Sequence, residues 1–228
     1  MNKLFIIGNG FDLGHDLKTS YCDFIFWLFN REFNSLYESK DGYHQNDLFN
    51  LTRTSKVSTK LTLNTLHNFS SILRQHHIEI LFKNEFFKRI VSQIEVNNWV
   101  EIETYYFRYL KSIISNNNVQ NPINSVIELN NCLDTITLEL IKYLTEVSSK
   151  ITTKKNIWAH FDREKQNSMN DYLKESMENF SKGSLMRMDL FVTFNYTDSI
   201  SKYIKAEIIG GYVSREVIHI HCELKNRE

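Results

Sequence analysis

A continuous apolar run, Leu4-Phe5-Ile6-Ile7, breaks off at Gly8-Asn9-Gly10-Phe11-Asp12, and no other feature restricts the fold of this chain as sharply. Four consecutive apolar residues bounded by glycine read as a strand buried on both faces, which predicts a central strand of a parallel sheet. Glycine is otherwise sparse. Gly8, Gly10 and Gly14 fall within the first fourteen residues, leaving four glycines and a single proline, Pro122, to punctuate the rest. So few breakers favour long helices over a many-turned all-β chain.

Ser20-x-x-Asp23 has the form of a capping box with Asp in place of Glu, and Phe24, Trp27, Leu28 and Leu36 follow with Arg31 facing outward, which predicts a helix over about 20–37. The stretch 39–60 is polar and reads as a mobile loop or an insertion boundary. From 61 to 181 the pattern is mostly helical, with Ile80, Leu81, Phe86, Phe87, Ile90, Val91 and Ile94 recurring at three and four, and with the Asn-rich segment 116–124 separating two helices. β-branched and aromatic runs return at 190–194 and 217–221, with a shorter Glu207-Ile208-Ile209 between them. The expected fold is α/β: a Rossmann-like parallel sheet built from 1–38 and 185–228, interrupted by a large, mostly helical insertion at 39–184.

A chain of 228 residues suits one domain with an insertion. An apolar fraction of 42% excludes disorder. Twenty-seven basic residues balance twenty-seven acidic ones, so there is no general positive field to drive nucleic-acid binding, although a local patch is compatible with it. No export signal and no membrane span is expected, and Cys22, Cys132 and Cys222 suggest neither a disulfide framework nor a zinc knuckle. A reducing cytoplasm fits.

Ligands of open parallel sheets bind beyond the carboxyl ends of strands. The Gly8–Asp12 segment follows the first run, Asn195-Tyr196-Thr197-Asp198 follows the second, and His221 closes the last, so adjacent parallel strands would bring all three together. Lacking Cβ atoms, Gly8 and Gly10 permit positive φ and close approach of backbone N–H groups to phosphate, and Asn9 tolerates the left-handed region; a plain tight turn explains the same residues. Asn195 carries donors and acceptors suited to a ribose hydroxyl or a water, or to capping a helix begun by Thr197 and Asp198. His219 and His221 share a strand face, but with no third ligand in sight the expectation is no metal, His221 as a general base and His219 packed deeper.

The segment from Leu4 to Phe24, LFIIGNGFDLGHDLKTSYCDF, resembles the opening of the AbiH-type abortive-infection family, with its Gly-Asn-Gly-Phe-Asp signature and Thr-Ser-Tyr-x-Asp-Phe continuation. Asn98-Trp99-Val100-Glu101-Ile102-Glu103, Phe194-Asn195-Tyr196-Thr197 and Ile218-His219-Ile220-His221 extend the resemblance along nearly the whole chain. Cys222 stands where the family usually has Gly, and related chains continue well past this point, which predicts a short or truncated variant. The resemblance implies a role in halting phage propagation, with a phage-derived trigger or partner protein.

The order Gly-x-Gly, Asn-Tyr, late strand-borne His is also similar to that of sirtuin-like NAD-binding domains, with Thr197 in place of their Asp. That similarity implies NAD as substrate or ligand: Gly8 and Gly10 facing the pyrophosphate, Asn9, Phe11, Tyr196 and Thr197 also binding the cofactor, Asn195 at the nicotinamide ribose or attacking water, and His221 as base. Asp12 would stabilise an oxocarbenium-like ribose or anchor its loop, anchoring being the simpler role. Two rivals are a metal-dependent nuclease using Glu223-Leu224-Lys225 with Asp189 or Glu216, and a non-catalytic nucleotide sensor with the insertion as its interaction surface. Trp99, Glu101 and Glu103 either line the crevice or form a core Trp beside surface carboxylates.

Overall fold

A computed structural model describes residues 3–55, 60–63, 65–97, 102–115, 122–152, 154, 187–195, 197–205 and 213–220. Their elements run β1 (Lys3–Ile7), α1 (Gly10–Leu13), α2 (Tyr21–Glu38), β2 (Tyr43–Gln45), β3 (Phe49–Arg53), α3 (Phe69–Gln75), β4 (Ile78–Phe82), α4 (Glu85–Asn97), α5 (Ile102–Ser115), α6 (Pro122–Ser148), β5 (Arg187–Thr193), α7 (Ser199–Lys205) and β6 (Val213–His219). The fold is mixed α/β, with a three-stranded parallel sheet and a helical part. Two compact units are formed, residues 1–19 with 144–228, and residues 20–143. No helix among the described residues is long and apolar enough to cross a membrane.

The first unit contains the parallel sheet. β1 pairs with β5 from Lys3 opposite Asp189 to Ile7 opposite Thr193, and β5 pairs with β6 from Arg187 opposite Val213 to Thr193 opposite His219. The order β1-β5-β6 follows the chain. The described strands therefore show no reversal of order, the feature at which a doubly wound dinucleotide-binding sheet opens its crevice. The Rossmann expectation holds only at the level of a parallel α/β sheet.

β1 is not the central, doubly covered strand that its apolar run predicts. It is the outermost described strand, and Leu4 and Ile6 are 61% and 71% exposed while Ile7 is buried. An unbroken apolar run carries no period, so it cannot report whether one face or two is covered. The covered face carries Ile7, Phe191, Ile200 and Tyr203, with Phe5, Phe11, Ile204 and Val217 packed against them. Phe5 stacks on Phe191 at 4.6 Å between ring centroids, a pair in register across β1 and β5. Each such buried side chain is worth roughly 1.5–3 kcal/mol, enough to hold a small sheet closed on α7. Glu207-Ile208-Ile209 lies outside the described residues.

In the second unit α2 begins as its capping box predicts: the Asp23 N–H donates to Ser20 Oγ at 3.1 Å. Its buried residues include Phe24, Ile25, Leu28, Phe29, Phe33 and Leu36. The polar stretch after residue 39 is not simply loop, because β2, β3 and β4 make an antiparallel sheet in that order. The β2–β3 turn is set by Asn46, whose side-chain carbonyl accepts from the Leu48 and Phe49 amides, both at 2.9 Å. Ile80 and Leu81, expected in a helix, lie in β4, where Ile78-Glu79-Ile80-Leu81-Phe82 alternates in burial. The helix begins only after Asn84, whose side chain accepts from the Phe86 amide at 2.7 Å. A β-period segment abutting a helix-period one had merged into a single apolar pattern.

Candidate functional site

The row Ile7–Thr193–His219 marks the carboxyl ends of the three parallel strands. The ladder continues one step further, with the Phe194 amide donating to the Ile7 carbonyl and the Ile220 amide to the Thr193 carbonyl, each at 2.9 Å. Gly8 and Asn195 thus leave neighbouring strands side by side, and the two motifs nearly two hundred residues apart in sequence adjoin. His221 and Tyr196 lie outside the described residues, as do Trp99, Glu101 and Glu223. Glu103 is exposed on α5 and accepts from the Tyr21 hydroxyl at 3.1 Å.

Gly8 and Gly10 do not have the positive φ expected of them; Gly42 is the described glycine that does. Asn9 is likewise right-handed, at φ −56° and ψ −23°, at the head of the short helix α1. A Cβ built on Gly8 or Gly10 would meet no described atom within 4 Å. Neither backbone strain nor packing among the described residues therefore demands glycine at these positions. What glycine provides is an uncovered backbone at the first turn of a helix, where leading amides lack intrahelical acceptors.

Polar ties from Asp12, His15, Lys154 and Asn9 hold this turn. Asp12 is 1% exposed and accepts from Thr197 Oγ1 at 2.6 Å and Ser199 Oγ at 2.5 Å, which locks the turn after β1 to the turn after β5. Its carboxylate is engaged as an anchor. His15 donates from Nδ1 to the Phe11 carbonyl at 2.7 Å, since a carbonyl can only accept, and its Nε2 takes the Tyr203 hydroxyl. That hydroxyl in turn accepts the Lys154 amide at 2.7 Å. Lys154 Nζ reaches the Gly14 carbonyl at 2.9 Å and the Asp16 carboxylate at 2.6 Å, and the bond to Lys154 holds the Asp16 carboxyl below the usual range. Asn9 Oδ1 accepts from the Thr19 hydroxyl at 2.6 Å. Phe11, expected at the ligand, is partly buried against the core beside His15 and Tyr203.

His15, Ser199, Tyr203 and Lys154 were not singled out in the sequence, because each acts through a partner far along the chain or through a side chain with no motif of its own. Thr197, expected beside a nucleotide, is buried and donates to Asp12.

Asn195 differs from all of these. It is 3% exposed, and neither its side-chain oxygen nor its side-chain nitrogen has a hydrogen-bond partner. Its amide therefore caps no helix, which removes the structural alternative weighed for it. Its backbone N–H is held by Thr193 Oγ1 at 3.1 Å. His219 Nδ1, on the same sheet face one strand away, is also enclosed and unpartnered.

Of the carboxylates named for a metal-dependent nuclease, Asp189 and Glu216 are among the described residues and Glu223 is not. Asp189 lies on the covered face, 3.9 Å from Arg215, whereas Glu216 is exposed on the opposite face of β6. Strand alternation therefore points these two carboxylates away from each other. Among the described residues no three His, Cys, Asp or Glu side chains gather as a metal would require. Cys132 is free and burial pushes its thiol up to about 11, away from the thiolate form.

The family model described as Bacteriophage abortive infection AbiH matches residues 4–228. No curated protein and no solved structure matches the chain.

Proposed function

The chain belongs to the bacteriophage abortive infection AbiH family, a phage-defence assignment, and we propose that it acts there by binding NAD at the carboxyl ends of its parallel strands and hydrolysing it to nicotinamide and ADP-ribose. One observation carries this proposal: the Asn195 amide is buried at the strand end with both polar atoms unpartnered, beside an uncovered glycine turn. A buried amide left unpaired costs about 1–3 kcal/mol, a burden that a bound ligand would relieve.

In the proposed reaction Asn195 orients the ribose or the attacking water, and the Gly8–Gly10 backbone faces the pyrophosphate. Water adds to the anomeric carbon as the bond to the pyridinium nitrogen breaks. The bonding pair leaves with nicotinamide, which departs neutral, and the water proton passes to His221. Asp12 contributes by holding the turn in place through Thr197 and Ser199.

The test is chromatographic detection of nicotinamide release from NAD, with and without phage lysate as trigger. Release by the wild-type protein that disappears in Asn195→Ala and in His221→Ala, with circular dichroism unchanged, is the expected result. Nucleotide binding without release under either condition would sink the hydrolase and favour a sensor. Cleavage of nucleic acid that is lost with EDTA, without nicotinamide release, would favour a nuclease.

A further inference from the structure

We infer that His219 is a second ligand-binding residue, and that Asn195 and His219 together select a vicinal diol, the cis-diol of a ribose. The inference rests on the nucleotide site proposed above and assigns it a further residue and a specificity.

The register of β6 places His219 opposite Thr193 on the covered face of the sheet. Asn195 stands two residues beyond Thr193, the last residue of β5, and one beyond Phe194, whose amide still donates to Ile7, so at strand spacing and rise its Cα lies roughly 8 Å from that of His219. A separation of that size suits a small group bridging the two side chains. Thr193 does not fill it: its hydroxyl is fully buried and holds the Asn195 backbone amide. Asp189 and Arg215 form an ion pair at 3.9 Å at the far end of the strands.

The unpartnered atoms define what fits. On Asn195 and His219 they are one acceptor, Asn195 Oδ1; one two-proton donor, Asn195 Nδ2; and one imidazole nitrogen, His219 Nδ1. A phosphate or carboxylate only accepts and would leave Asn195 Oδ1 unpaired, while a cation needs only acceptors and would leave Nδ2 unpaired. Two neighbouring hydroxyls, each both donor and acceptor, satisfy all three atoms. A buried donor left without its counterpart discriminates strongly against ligands lacking the matching hydroxyl.

The experiment compares binding of ADP-ribose with that of its analogue deoxygenated at positions 2 and 3 of the terminal ribose, the two carbons of the cis-diol, using the 228-residue chain and calorimetry. The wild-type protein is expected to prefer ADP-ribose by about tenfold or more. His219→Leu is expected to lose most of that preference, and His219→Gln, which again presents polar atoms, to regain part of it. In the wild-type protein the ¹⁵N resonance of His219 Nδ1 is expected to shift on adding ADP-ribose but not the analogue, a measurement that needs no variant to fold. An unchanged preference in His219→Leu, or an unresponsive Nδ1, overturns the inference and leaves NAD hydrolysis standing. Failure of the wild-type protein to bind ADP-ribose overturns the nucleotide site itself, and this inference with it.

Discussion

Asp12 and Asn195 are buried to nearly the same depth, yet their polar atoms have opposite fates. The Asp12 carboxylate receives two hydroxyls, and the Asn195 amide receives nothing. Their alanine variants should therefore diverge. Asp12→Ala removes two charge-assisted bonds and strands two buried hydroxyls, for a loss of about 2–4 kcal/mol. Asn195→Ala removes a buried unsatisfied group, so the ligand-free protein should lose little stability or gain up to about 1 kcal/mol. Thermal unfolding of the two variants checks both, and a larger loss in Asn195→Ala than in Asp12→Ala would contradict this account. The sequence brought both residues to notice through motifs, but it could not separate their roles. Whether a polar side chain is satisfied depends on residues such as Thr197 and Ser199, whose spatial relation to Asp12 no local pattern encodes.

The elements show the same division between local signals and long-range ones. Helix α2 was readable from its cap and its apolar spacing, since both act within a few residues. The strands of the parallel sheet were readable from β-branched runs, although β5 and β6 begin earlier than those runs suggest. β4 was missed despite its alternation, because the helix α4 that follows it continues the apolar content. β1 was assigned the wrong environment because the cover of a strand depends on what packs against it. That cover has a measurable signature. Ile7→Ala should destabilise by about 2–4 kcal/mol, while Ile6→Ala, at a position 71% exposed, should change stability by less than about 0.5 kcal/mol. Equal losses in chemical denaturation would show that β1 is covered on both sides after all.

Across the whole molecule, ties between distant parts of the chain decide which residues meet. In the second unit Arg31 on α2 bonds Glu139 on α6 at 2.6 Å and buried Glu32 at 2.5 Å, and Glu32 also bonds His44 at 2.5 Å. Burial raises the Glu139 carboxyl, but Arg31 and Lys142 together outweigh it and hold it below its ordinary value of 4.5. A depressed carboxyl stabilises the fold above its unfolded value and ceases to do so as the pH falls through the folded one. Glu139→Gln should therefore lower Tm at neutral pH, and the gap to the wild-type protein should close on acidification below 4.5. A gap independent of pH would assign the effect to packing instead. In the first unit Asp12 and Thr197 meet from 185 positions apart. At ribosomal rates of about 5–20 residues per second, roughly 10–40 s pass between synthesis of the glycine turn and arrival of the hydroxyls that fix it. Throughout that interval the nascent polypeptide has a first strand but no neighbour for it. The turn after β1 is fixed only once the Thr197 and Ser199 hydroxyls have been made, so a nascent chain stopped short of them carries the glycine turn without its anchor.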